Sequence, residues 1–145
     1  MTIDIISGEI FNLKIQSRNN KILHIKFTDE DPITNNPSIV SDIENYFSGK
    51  KKFKSKIILS GTPFQKSVWR EILSIPYGQT RTYKQIAQQI NNPLAYRAVA
   101  NACNKNKIAI IVPCHRVVGI NNKGGYKWGL QIKTWLLDFE ANNMK

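Results

Sequence analysis

Apolar and polar residues alternate twice near the start of the chain. In "IFNLKIQ", Phe11, Leu13 and Ile15 fall on one face and Asn12, Lys14 and Gln16 on the other. "KILHIKF" repeats the pattern through Leu23, Ile25 and Phe27, with "SRNN" between the two runs. A period of two bounded by turn residues predicts a β-hairpin. The period then lengthens. In "NNPSIVSDIENYFSGK", Ile39, Ile43 and Phe47 recur every four residues behind a capping Asn36 and a first-turn Pro37, and Gly49 suits the stop. "KIILS" reads as a further short strand.

From Gly61 onward the helical period dominates. "TPFQ" is a capping box, with Thr62 and Gln65 in the reciprocal positions. Phe64, Val68 and Ile72 follow on one face, with Trp69 and Leu73 beside them. "PYGQT" ends that helix. "TYKQ" is a second capping box, opening a short helix with Ile86, Ala87 and Ile90 inward. Asn92 and Pro93 predict the start of a third helix through "LAYRAVANACN", and a last helix over roughly 130–142 presents Ile132, Trp135, Leu136 and Phe139. The expectation is two subdomains: residues 1–60, a small antiparallel sheet plus a helix, and residues 61–145, mostly helical.

Composition narrows the class. A chain of 145 residues with 41% apolar residues can bury a core. No apolar run is long enough to span a membrane, and the N-terminus has no signal-peptide pattern, so a cytoplasmic protein with no membrane partner is expected. Two cysteines and two histidines give neither a disulfide framework nor a zinc ligand set, so no metal is expected. A net charge of +11 fits a polyanionic partner as readily as a solvated lysine-rich surface. The "KKFKSK" run at 51–56 does not separate those readings. The pair "TYKQIAQQI" and "LAYRAVANACN" adds weight: two short helices about a tight turn, the second rich in alanine, form a helix-turn-helix pattern with Arg97 near its front.

"AIIVPCHRVVG" raises the question of chemistry. Cys114 sits between Pro113 and His115 at the end of an apolar run. A thiol of ordinary pKa is only a few per cent thiolate at neutral pH, so a nucleophilic cysteine needs a base nearby. Neighbours on an extended chain point apart. Contact between Cys114 and His115 therefore needs a turn, which Pro113 permits, or a bridging water. Glu140 and Asp138 on the last helix could orient the histidine. A buried, inert cysteine beside a solvated histidine is the alternative that these residues alone leave open.

The longer string "IVPCHRVVG" closely resembles the active-site signature of the O6-alkylguanine-DNA alkyltransferases. "GTPFQKSVWREIL", "GQTRTYKQIA", "NPLAYRAVANACNKN", "GGYKWGL" and "KTWLLDFE" resemble that family's other motifs, in order, over about residues 61–141. The resemblance implies an RNase H-like N-terminal subdomain and a C-terminal DNA-binding and alkyltransferase domain with a winged-helix-like helix-turn-helix. It implies DNA repair by direct damage reversal. One alkyl group passes irreversibly from O6 of guanine, with O4 of thymine a second candidate, to Cys114. No cofactor is implied. The partner is double-stranded DNA carrying O6-alkylguanine, and a monomer is the default.

Residue by residue, the resemblance makes His115 the base acting through a water and Glu140 its orienting carboxylate. Tyr83 becomes the phenol that assists the leaving guanine and flanks the DNA. Arg97 fills the vacated base stack, while Ala95 and Ala98 allow the helix to approach the minor groove. Asn106 braces the helices against the site. Pro113, Val117, Tyr126, Lys127, Trp128 and Lys133 form or support the pocket. Lys127-Trp128 stands where some members carry Ser-Gly, which implies a narrower rim. A lesion-binding protein without transfer chemistry is the main rival reading, disfavoured because Cys114, His115 and Glu140 are all present. A cysteine hydrolase is the other.

Overall fold

The computed structural model describes residues 1–144 and divides into two compact units, Met1–Ser60 with Lys107–Ala109, and Gly61–Asn106 with the chain from Ile110 on. In the first unit, strands β1 (Thr2–Ile6), β2 (Asn12–Arg18), β3 (Lys21–Thr28) and β4 (Lys56–Ile57) form one sheet in that order, with helix α1 (Pro37–Phe47) between β3 and β4. The hairpin expected from the alternation is β2–β3. Its turn residues Asn19 and Asn20 both take positive φ, at 52° and 64°, the conformation that two-residue hairpin turns favour and asparagine tolerates.

The sheet is mixed rather than antiparallel. β4 pairs parallel with β3 because the chain returns through α1, and Ile25 also bridges Ile108 in parallel. "KIILS" contributes only Lys56–Ile57. β1, with no clear alternation of its own, completes the sheet against β2. Finally, the register shifts between Gln16 and Ser17, so Ser17 lies opposite Ile22. That bulge resets the alternation. Ile22 and Ile25 are buried and Leu23 is only half-buried.

α1 starts where its cap requires: the Asn36 side chain accepts from Ile39 N at 3.3 Å. Its inward residues are Ile39, Val40, Ile43 and Tyr46. Phe47, expected inward, is only half-buried.

The second unit holds helices α2 (Pro63–Leu73), α3 (Tyr83–Gln89), α4 (Tyr96–Asn104) and α5 (Leu130–Asn142) and a two-stranded pair, β5 (Arg81–Thr82) with β6 (Val117–Val118). Both capping boxes close reciprocally, Thr62 with Gln65 and Thr82 with Gln85. Trp69 donates from Nε1 to Ala102 O at 2.9 Å, fixing α2 against α4. α4 begins three residues after Pro93, because Pro93 occupies the second position of a turn closed by Ala95 N to Asn92 O at 2.9 Å. Ala95 is consequently the cap of α4. On α5, the deeply buried residues are Ile132, Lys133, Leu136 and Glu140. Trp135 and Phe139 stack on each other half-buried, with centroids 5.1 Å apart. No helix among the described residues is long and apolar enough to cross a membrane.

Candidate active site

The apolar run before Cys114 is not a strand. Ile110 takes φ +72°, a left-handed conformation that a β-branched residue adopts only under constraint, and the chain turns there. Pro113 then leads into a single 3-10 turn, Cys114–Arg116, closed by Arg116 N to Pro113 O at 2.8 Å. Successive side chains in such a turn diverge by about a third of a revolution. Cys114, His115 and Arg116 therefore point three ways from one short segment, and all three are buried.

Two of those directions converge on Glu140 of α5. His115 Nε2 lies 2.7 Å from Glu140 Oε2. Arg116 grips the same carboxylate twice, Nε to Oε1 at 2.8 Å and Nη2 to Oε2 at 2.9 Å, and its Nη1 donates to Ile75 O at 2.9 Å. Gly78 N adds a longer bond to Oε1, at 3.3 Å. Burial alone would raise the pKa of Glu140. The hydrogen bonds from His115 and Arg116 outweigh it and hold the carboxyl well below the usual carboxylate range. An ionised carboxylate only accepts, so His115 Nε2 carries the proton and Nδ1 keeps its lone pair. Burial also pushes the His115 pKa down, against the opposing pull of Glu140. The imidazole is thus neutral, with its basic nitrogen available.

The thiol of Cys114 is protonated at rest. Burial pushes its pKa well above the ordinary value, and a hydrogen bond with the Cys103 thiol of α4 adds to this. Lys133 and a hydrogen bond from Asn106 pull the other way. Asn106, two residues past the end of α4, also donates Nδ2 to Val112 O at 2.9 Å, tying the chain that leaves that helix to the segment that presents the thiol.

The opposite wall is built around a buried ammonium. Lys133 Nζ donates to Val117 O at 2.6 Å and to Gly125 O at 2.8 Å, and burial lowers its pKa to about 8. It lies 5.9 Å from the ring centre of Tyr83. Tyr83 opens α3, placed there by the Thr82 cap and the β5–β6 pairing. Its phenol is pushed up to about 12, chiefly by burial, although it accepts a hydrogen bond from the Gly125 backbone. Gly124 makes room for it. A Cβ there would fall 2.5 Å from the Tyr83 oxygen, and its φ of +70° also suits glycine. Tyr126 stands edge-on to His115, with Trp128 edge-on behind it. Lys127 donates to Asn106 O at 3.0 Å and lies over the Trp128 ring.

Cys114, His115, Glu140, Asn106, Val117, Lys133, Tyr83, Tyr126 and Pro113 are therefore brought to one locality, with Lys127 and Trp128 at its rim. Arg97 and Ala98 are not part of it. They lie exposed on α4, with Ala95 half-exposed at the cap. Two participants escaped the sequence reading. Arg116 is the second partner of Glu140, and its only signal was adjacency to the Cys-His pair. Cys103 touches the thiol, and its helical position gave no signal at all. Among the described residues, no group of three or more His, Cys, Asp or Glu side chains could hold a metal ion.

Residues 63–142 match the family described as 6-O-methylguanine DNA methyltransferase, DNA binding domain. A relative named probable methylated-DNA–protein-cysteine methyltransferase, from Acanthamoeba polyphaga mimivirus, is 50% identical over 99% of both chains. A methylated-DNA–protein-cysteine methyltransferase of Methanosarcina mazei is 57% identical over 74% of this chain and 69% of its own. Among solved structures, Mycobacterium tuberculosis OGT in complex with DNA superposes with a TM-score of 0.89 at 35% identity, covering 97% of this chain and 93% of that one.

Proposed function

Because the chain belongs to the 6-O-methylguanine DNA methyltransferase family, we propose that its buried thiol is the acceptor in direct reversal of DNA alkylation. The protein is a methylated-DNA–protein-cysteine methyltransferase, and its partner is DNA. The observation that carries the site assignment is the Arg116–Glu140–His115 chain. It fixes a neutral imidazole, with its lone pair on Nδ1, in the same 3-10 turn that Cys114 opens.

In this reading Cys114 gives its proton, through a water, to His115 Nδ1, and Glu140 stabilises the imidazolium that forms. The sulfur attacks the alkyl carbon attached to guanine O6. The S–C bond forms, the C–O6 bond breaks, and the electron pair leaves with guanine. Tyr83, whose high pKa keeps it protonated, donates a hydrogen bond to that developing charge. The imidazolium then returns the thiol proton, through solvent, to the guanine anion, which leaves an unmodified guanine in the DNA strand. The product thioether is no leaving group, so each chain reacts once.

A base stacked in a duplex cannot reach a thiol that is 3% exposed, so the nucleotide must flip. Exposed Arg97 is suited to fill the gap. Ala95 and Ala98 present little bulk on the helix that approaches the minor groove. Lys133 holds the Val117 and Gly125 carbonyls in place, and Tyr126 and Trp128 wall the pocket that receives the base. The first unit is read as RNase H-like, on its mixed sheet with a crossing helix. α3 and α4, flanked by β5 and β6, are read as a winged-helix-like helix-turn-helix. A chain with two free thiols suits the reducing cytoplasm.

The test is intact mass after incubation with a duplex carrying one O6-methylguanine, beside Cys114→Ser. The parent gains the mass of one methyl group in place of one hydrogen and then stops, and the variant gains none. DNA binding without any mass gain would leave a lesion-binding protein.

A further inference from the structure

Two buried polar atoms of the site have no hydrogen-bond partner among the described residues: Nδ1 of His115 and the hydroxyl of Tyr126. They belong to neighbouring rings, set edge to face with centroids 6.5 Å apart and planes at 84°. Leaving either atom unmet costs folding free energy, and native interiors rarely tolerate it without a functional reason. Nδ1 has a role as the basic nitrogen of the relay. Tyr126 as a simple pocket wall explains its ring but not its hydroxyl. A phenylalanine would pack against Trp128 equally well and bury no unmet donor.

We propose that Tyr126 is a positioning residue for the thiol's proton: its hydroxyl donates a hydrogen bond to the oxygen of the water through which Cys114 passes its proton to His115 Nδ1. This rests on the alkyl-transfer reading. A water there accepts from the Cys114 S–H and the Tyr126 O–H and donates to Nδ1, the three partners that a buried water typically needs. When the proton moves, one S–H bond breaks, one bond between hydrogen and Nδ1 forms, and the water is unchanged. Burial keeps the Tyr126 phenol well above its usual pKa, so it is a donor throughout the working range. The hydroxyl makes no hydrogen bond with the sulfur, although Cys114 is its strongest electrostatic neighbour, followed by Glu140. The other titratable groups facing this corner are Cys103 on α4, Tyr83 on α3, Lys133 on α5 and Arg116 from the turn itself.

The experiment compares the full-length parent with Tyr126→Phe, using two alkyl donors across pH 6–9. One is a duplex carrying O6-methylguanine. The other is iodoacetamide, which has no purine, with labelling assigned to Cys114 by peptide mapping. Both rates should fall about tenfold in the variant at neutral pH, with the apparent pKa of the reaction moved up by about one unit, the equivalent shift. Site-specific 3,5-difluorotyrosine at position 126, a same-shaped but stronger donor, should restore the rate and lower that pKa. It also serves if the phenylalanine variant misfolds. Unchanged rates and pH profiles with both donors would overturn the proposal. So would a loss confined to the DNA substrate, which would place the hydroxyl on the guanine instead. A parent that labels with iodoacetamide but never accepts methyl from DNA would refute the alkyl-transfer reading itself, independently of Tyr126.

Discussion

Arg116→Met tests the electrostatic frame of the site. The substitution keeps much of the side chain's length but removes the guanidinium. Three buried hydrogen bonds are lost, two to Glu140 and one to Ile75 O. Glu140 keeps His115 and the long bond from Gly78 N. Removing one partner of a buried ion pair costs about 3–5 kcal/mol, because the other charge stays behind uncompensated. For a chain of this size that corresponds to a fall in Tm of roughly 10–15 °C. The loss must depend on pH. Glu140 has a depressed pKa in the folded protein, so its contribution is complete above the unfolded carboxylate value, about 4.3, and is lost as pH falls toward the folded value. The gap in Tm between parent and variant should be widest near pH 7 and narrow toward pH 3. Removing the guanidinium also removes a cation that disfavours protonated His115, so the variant's imidazole should titrate higher and alkyl transfer at neutral pH should slow. Thermal unfolding followed by circular dichroism, repeated with Glu140→Gln and the double variant, measures the coupling. An unchanged Tm, or a gap that stays constant from pH 7 to pH 3, would refute the assignment of Arg116 as the clamp on an ionised Glu140.

Three further outcomes are expected. Lys133 has a folded pKa of about 8, below its unfolded value of about 10.4, so the unfolded chain binds more protons between those values and stability gains a rising component there. Lys133→Met should remove that rise from the urea-unfolding free energy, and identical pH dependence in parent and variant would contradict the buried ammonium. Methylating Cys114 adds a group to a site that is 3% exposed, and overpacking of about 1–3 kcal/mol should lower the Tm of the fully reacted protein by several degrees. An unchanged Tm would mean that the pocket already has the room. Arg97→Ala should slow transfer from duplex DNA several-fold more than transfer from free O6-methylguanine base, since only the duplex requires flipping. Equal losses in single-turnover assays on the two substrates would remove Arg97 from that role.

Local chemistry along the chain determined the hairpin at Asn19–Asn20, the cap at Asn36, and the two capping boxes at Thr62–Gln65 and Thr82–Gln85. Each involves residues within one turn of one another, so their encounter costs little chain entropy and needs no distant partner. The Pro-Cys-His run marked the candidate site for the same reason. What the run could not show was the direction of each side chain, because that depends on the kink at Ile110 and the 3-10 turn that follows. The parallel placement of β4 and the bulge that leaves Leu23 half-buried rest on strand pairing across the sheet. The site itself is the clearest case. Glu140 meets His115 and Arg116 from the far end of the chain, and Cys103 meets Cys114 from a different helix. Their pKa values follow from burial and from which neighbours arrive. Sequence supplied the candidate groups. Packing decided which of them is charged, which is neutral, and which nitrogen of His115 keeps its lone pair.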